Sequence, residues 1–202
     1  WAAQTLVPPE PVPPRPLVPS RPENEPAVVS PLAAGAASAF ARGKLIHRLL
    51  QTLPDLPPGD REAAARRLLA RPGYALAAEQ VDEIARETLG VLAHPEFAAA
   101  FDEPALAEAA VVARIGGRAL SGRIDRLAVR DDAVYVIDYK TNRPPPADVA
   151  DVASVYLTQL AAYRAALAPL FPGKRIACAL LWTYAPRLMP IPPEMLDAHA
   201  PN

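Results

Sequence analysis

The spacing of apolar residues changes once along this chain, and the change divides it into helical and sheet-forming parts. Ile46, Leu49, Leu50 and Leu53 fall at i, i+3, i+4 and i+7, which predicts an amphipathic helix over about 38–53, ended by Pro54 and the PDLPPGD turn. A second helix is expected over 60–69 with Asp60 as its N-cap, and a third over 76–92. The period then shortens to two. Residues 108–115, 118–130 and 133–140 read as strands split by Gly116-Gly117 and Asp131-Asp132. After the breaker NRPPP comes a helix over about 148–170, then a buried strand over 175–184, RIACALLWTY. The order is helix, three strands, helix, strand, an α/β arrangement with no internal repeat.

Proline alters the picture at the amino terminus. Nine of the first 30 residues are proline. Without their backbone donors the segment sustains neither helix nor ladder, so residues 1–32 are expected to form an extended arm or linker. That leaves 33–202 as the folded domain, with a helical part over about 38–105 and a sheet core over about 106–185. A chain beginning at Trp1 and a proline arm is read as a piece of something longer. At 202 residues, 51% hydrophobic and a net charge of −1, it can bury a sizeable core and is no wholesale polycation.

A single cysteine, Cys178, excludes a disulfide framework, a cysteine zinc cluster and an iron–sulfur cluster built within the chain. It lies in the apolar 175–184 strand and is expected to pack there. No run is long and apolar enough for a membrane span, so no membrane partner and a cytoplasmic setting are expected. No GxxxxGK[ST] loop occurs, and therefore no ATP site of that kind.

Candidate chemistry lies in the second hairpin. If Asp131-Asp132 is a two-residue turn, paired residue numbers sum to 263 and Asp125 stands opposite Asp138. Leu127, Val129, Val134 and Val136 share their face, so both carboxylates end a covered apolar surface. Like charges facing across a strand pair repel, and burial makes ionisation costlier. Lys140 projects from the same face and relieves part of that. The basic set is 18 arginines and three lysines. A lysine here therefore hints that a compact ammonium is wanted. Two readings stay open on spacing alone: a carboxylate pair beginning an octahedral Mg²⁺ or Mn²⁺ site, or strand-end aspartates reaching water with Lys140 as a surface ion pair.

The words GRIDRL (122–127) and VIDYKTN (136–142) resemble the G-x-I-D and D-Y-K-T motifs of RecB-like nucleases in the PD-(D/E)XK superfamily. GKLIHRLLQ (43–51) is similar to that family's G-x-x-x-H helix, and YLTQLAAY (156–163) to its Q-L-x-x-Y signature. All four stand in family order across about residues 38–185. Within the family the chain looks most like the carboxy-terminal nuclease domain of AddA-type helicase-nucleases, with RecB itself as the second resemblance. The resemblance implies a restriction-endonuclease-like core of helix, three-stranded antiparallel meander, helix and strand, with an amino-terminal helical subdomain. It further implies Mg²⁺-dependent hydrolysis of DNA at double-strand ends, with Mn²⁺ as a substitute. His47, Asp125, Asp138 and the Tyr139 carbonyl would be metal ligands. Lys140 would place or deprotonate the attacking water. Gln159 and Tyr163 would brace the site and contact DNA. Glu108, Arg123 and Thr141 are expected around it, Glu108 outside direct metal contact. Gly43 would allow close approach of the His47 helix. The implied partners are DNA, a helicase domain upstream in the same polypeptide and an AddB-type subunit. The alternative is a catalytically idle DNA-end-binding or docking module of the same fold.

Charge adds a local argument. Between Glu108 and Arg143, seven basic residues (Arg114, Arg118, Arg123, Arg126, Arg130, Lys140, Arg143) stand against five acidic ones, a surplus of +2. This is either a nucleic-acid face or a solvated strand face. His94 and His199 lie in no motif and are expected on the surface.

Overall fold

The computed structural model describes residues 18–19, 33–102 and 104–201, with backbone only for 33–40 and 98–99. Apart from Val18 and Pro19, the expected proline arm lies outside the described residues. Helices α1 (Ala33–Thr52), α2 (Pro58–Leu69), α3 (Ala78–Ala93) and α4 (Ala98–Phe101) precede strands β1 (Ala105–Ile115), β2 (Arg118–Val129) and β3 (Ala133–Lys140). Helix α5 (Ser154–Leu167), β4 (Arg175–Trp182), β5 (Arg187–Pro190) and α6 (Pro193–Asp197) follow. Among the described residues no helix is long and apolar enough to cross a membrane.

One five-stranded sheet runs in the order β1-β2-β3-β4-β5. The first three strands form the expected antiparallel meander, β4 joins β3 in parallel through the α5 crossover, and β5 closes the other edge antiparallel. The architecture is the expected α/β one, and β5 and α6 extend it. β5 is four residues long with one buried side chain, Met189, too short for alternation to announce it.

Helix boundaries shift for local reasons. Pro57, not Asp60, is the N-cap of α2, and Asp60 sits in its first turn. Pro58 suits the first helical position because its φ is already helical and its missing N–H would be unpaired there anyway. α5 begins later than expected because residues 149–151 form a separate 3₁₀ turn.

The sheet separates two cores. On one face α5 packs Tyr156, Leu157, Leu160, Tyr163 and Leu167 against Leu127, Val134, Val136 and Leu180. On the other, the helical layer packs Ile46, Leu49, Leu50, Ile84 and Phe97 against Ile137, Tyr139 and Leu181. Adjacent residues of β3 therefore feed opposite cores, as a period of two requires. Cys178 packs in the first core, and burial pushes its thiol up to about 12.

Candidate active site

The β2–β3 register is the expected one: Arg126 pairs with Ile137, Leu127 with Val136 and Val129 with Val134. Arg130 N–H bonds the Ala133 carbonyl at 2.8 Å, closing the turn. The ladder stops one pair short of Asp125 and Asp138. Tyr139 N–H, whose next ladder partner would be residue 124, instead donates to the Asp125 Oδ2 at 2.7 Å. The Asp125 side chain replaces a strand in holding the end of β3.

A second irregularity lies at the same place on the other side of β2. The β1–β2 pairing runs from Ala105–Ala128 to Ile115–Arg118 with one omission, Glu108 opposite Asp125, and Glu108 has φ +53°. Side-chain alternation inverts there. Ile124 and Leu127, three residues apart, both enter the α5-side core, which an unbroken strand forbids. A left-handed backbone at a glutamate is uncommon and costs of order 1 kcal/mol or more. It sets the Glu108 and Asp125 carboxylates at a break between the two layers.

His47 reaches this break from α1. Its Nδ1 lies 3.2 Å from Asp125 Oδ1, and ligand atoms of His47, Glu108 and Asp125 all lie within 4.8 Å of one another. The helix can come close because Gly43, one turn earlier, has no side chain: a Cβ there would be 3.0 Å from Thr141 Oγ1. The ring of Tyr139 meets the His47 imidazole edge to face, centroids 5.6 Å apart.

Asp138 and Lys140 point to the α5 layer. Lys140 Nζ lies 2.7 Å from Asp138 Oδ2, both groups nearly sealed from solvent. Gln159 spans the pair: its Nε2 donates to Asp138 Oδ1 at 2.8 Å, and its Oε1 accepts from Lys140 at 3.1 Å. Partners of opposite polarity leave the amide one orientation. The ammonium also sits 4.0 Å from the centre of the Tyr156 ring, whose hydroxyl donates to Asn142.

Tyr163, one turn beyond Gln159, is fully buried and donates to the Arg123 carbonyl at 2.8 Å. Its ring lies where a Gly122 side chain would be, since a Cβ there would come within 2.8 Å of Tyr163 Cε1. The Gly122 of the sequence motif thus lets α5 grip β2 three residues before Asp125. DNA contact by Tyr163, expected from the sequence, does not fit a side chain with no exposed surface. Arg123 is largely exposed, with Nη1 3.5 Å from Glu108 Oε2.

Charge states follow from this packing. Burial alone would lower His47, but the Asp125 carboxylate beside it, with Asp138 behind, outweighs burial and raises it to about 9. Asp125 goes the other way: burial raises it, and the combined pull of His47, the Tyr139 N–H and Lys140 brings it below the ordinary carboxylate value. Burial lifts Asp138 to about 6, Asp125 adding and Lys140 opposing. Glu108 is raised by burial and by the Asp125 charge. Burial would lower Lys140, yet Asp138 holds it above its usual value, so it is an ammonium at neutral pH.

A pH dependence follows. Folding raises His47 from 6.5 to about 9, so the metal-free protein draws stability from this ion pair that is complete below pH 6.5 and disappears as pH rises through 9. Asp138, lifted to about 6, completes its own ionisation at the acid end of that window, so the decline above it belongs to His47. Urea unfolding in EDTA between pH 6.5 and 9.5 should show a decline that His47→Gln flattens.

Sequence spacing did not reveal Glu87 of α3. It is nearly sealed from solvent, where it receives Arg42 of α1, Arg143 Nη2 at 2.6 Å and Thr183 Oγ1 at 2.5 Å. It ties the His47 helix to the residues just after β3 and β4, and burial raises its carboxyl in spite of these donors. Nothing in a helical AR-E-T pattern marks a glutamate as buried; only the packing does. His94 and His199, expected on the surface, are half-buried, His94 stacked on Phe97 and His199 bonded through Nδ1 to the Met195 carbonyl.

The donor set suits a hard divalent cation. One imidazole nitrogen and two carboxylate oxygens converge, with no thiolate among them. Glu108, expected outside the metal's reach, belongs to this cluster, while Asp138 is engaged by Lys140 and Gln159.

Comparisons with known proteins bear on the family and the fold. A family model described as the PD-(D/E)XK nuclease superfamily matches residues 26–188. Among curated proteins, none matches the sequence. A solved structure of a candidate exonuclease from Eubacterium rectale superimposes with a TM-score of 0.53 at 10% identity, over 78% of this chain and 62% of that one. At such identity the likeness concerns the fold, and this chain spans less than two thirds of that protein. A second solved structure, of the protein SSO0001, covers 82% of this chain and 84% of its own at 15% identity and a TM-score of 0.35.

Proposed function

The chain belongs to the PD-(D/E)XK nuclease superfamily, and on that premise we propose that it is a Mg²⁺-dependent deoxyribonuclease that hydrolyses phosphodiester bonds while processing double-strand DNA ends. The observation that carries the reading is the convergence of His47, Glu108 and Asp125 from three elements, beside an Asp138–Lys140 pair whose charges they share. His47, Glu108 and Asp125 would hold the cation, with Asp138 and the Tyr139 carbonyl adjoining. Bound there, a divalent cation supplies Lewis acidity and offsets the charge building on the phosphate.

The chain's own residues do the rest. Lys140, kept as an ammonium by Asp138, donates hydrogen bonds; its raised pKa favours placing a water or phosphate oxygen over removing a proton. Gln159 fixes the direction of that ammonium. Asp125 holds the end of β3 through Tyr139 N–H, so the two halves of the site keep their relative position.

The larger setting is part of the proposal. The motif order resembles AddA-type helicase-nucleases. In this reading residues 33–202 are the nuclease domain, 1–32 a tether to an upstream helicase domain, and an AddB-type subunit the cytoplasmic partner in recombinational repair. No membrane, iron–sulfur cluster or ATP site of its own enters this role. Purified chain should degrade linear DNA in Mg²⁺ or Mn²⁺ and stop in EDTA. Binding of DNA ends in EDTA with no cleavage in either metal would identify the idle docking module instead.

A further inference from the structure

Of the seven basic residues between Glu108 and Arg143, the fold consumes four. Arg126 donates to the Ala100 and Phe101 carbonyls, Arg130 to those of Pro104 and Asp102, Arg143 to Glu83 and Glu87, and Lys140 to Asp138 and Gln159. Arg114, Arg118 and Arg123 remain, all on the β1–β2 hairpin and all exposed. Between Ala109 and Ile124 there is no acidic residue. Arg114 and Arg118 make no hydrogen bond or ion pair among the described residues.

The pairing register orders this charge. Val112 faces Ser121, Ala110 faces Arg123 and Arg114 faces Ala119, so these six residues share one face of the hairpin. Val112 is 77% exposed, and nothing described covers it. The same face continues to Glu108, which Arg123 approaches to 3.5 Å, so it leads into the His47, Glu108, Asp125 cluster without crossing a layer. Arg118, at the far tip beside Gly116-Gly117, pairs with the core-facing Ile115 and so belongs to the opposite face.

We infer that the outward face of the β1–β2 hairpin is a track that carries a single DNA strand by its phosphates to the cluster. This rests on the nuclease reading above. From Arg114 to the position paired with Arg123 is four residues, about 14 Å of strand, a span of more than one nucleotide. One strand is favoured because the hairpin face offers a single row of cations, Arg114 and Arg123. On α1, Arg42 is committed to Glu87, and Arg48 donates to Gln51. The face carries small side chains and Val112 but no aromatic ring, so the grip is on the backbone, with strong salt dependence and little base preference.

The test uses the full chain in EDTA with a fluorescein-labelled oligothymidylate of roughly 20 nucleotides, a duplex of equal length, and three proteins: wild type, Arg114→Ala/Arg123→Ala, and Arg71→Ala as a control on the helical layer. The double variant should bind the single strand about tenfold more weakly, with a slope of log Kd against log[NaCl] smaller by about 1.4. KM for the same oligonucleotide should rise by the same factor. R71A should bind as wild type, and unchanged Tm values would show that all three are folded. Wild-type affinity and slope in the double variant would overturn the track, as would tighter binding of duplex or no binding by wild type. Unaltered binding alongside wild-type cleavage would remove the track and leave the nuclease reading standing. Arginine-dependent binding by a chain that cleaves nothing in Mg²⁺ or Mn²⁺ would support the track and remove the nuclease reading.

Discussion

Asp125→Asn is expected to lose DNA hydrolysis by about a thousandfold or more while remaining folded, on the scale of removing a principal charge-stabilising group from an active site. The amide is nearly the same size, and its oxygen can still accept the Tyr139 N–H that Asp125 now takes at 2.7 Å. It supplies no negative charge, so it fails as a partner for a cation and for His47. The histidine, raised to about 9 largely by that carboxylate, should fall back because burial then acts unopposed by it. Asp125→Ala adds a structural defect, a buried N–H without its acceptor, costing about 1–3 kcal/mol. Turnover on linear DNA together with Tm separates the two. Activity in D125N within tenfold of wild type would show that the cluster is not where the chemistry happens.

Replacing Lys140 by methionine should cost both stability and activity. Asp138 would keep only Gln159 as a close partner while remaining almost sealed from water. Breaking one side of a buried pair typically destabilises by about 3–5 kcal/mol, because the remaining charge is uncompensated. The sign of the pH effect is fixed. Lys140 is the main group holding Asp138 down, so its loss lifts the carboxyl further above about 6. The destabilisation should then be greatest near pH 8 and ease toward pH 5, where Asp138 is protonated in either protein. Adding Asp138→Asn should restore much of the stability and none of the hydrolysis. Urea unfolding at the two pH values and a cleavage assay measure these effects. Equal destabilisation at pH 5 and pH 8 would show that lost packing, not lost charge, is responsible.

Much of the site was legible because its signals are local. The Asp131-Asp132 turn and strict alternation set the β2–β3 register, which placed Asp138 and Lys140 on one face and Tyr139 on the other. The histidine of α1 and the glutamine of α5 were found through motif order, and the structure brings each to an aspartate. The place of Glu108 in the cluster is not legible in the sequence, for a specific reason. The Glu108 φ of +53° and the inversion beside it answer to the packing of two layers, and no residue pattern in β1 announces them. Tyr163 is more deeply buried than its motif suggests, because an i, i+4 spacing gives a helix face without saying whether the face looks at solvent or at Gly122.

The sequence by itself determined the order of the longer elements, the turn, the hairpin register and the residue types at the candidate site, because each depends on neighbours a few positions away. Only the tertiary structure decided which of those residues meet. The Gly43–Thr141 and Gly122–Tyr163 approaches, the burial of Glu87 among Arg42, Arg143 and Thr183, and the sorting of seven basic residues into four engaged and three exposed all join segments distant in the chain. Packing two layers on a sheet selects such contacts by distance and charge together, and no linear spacing encodes a distance between layers.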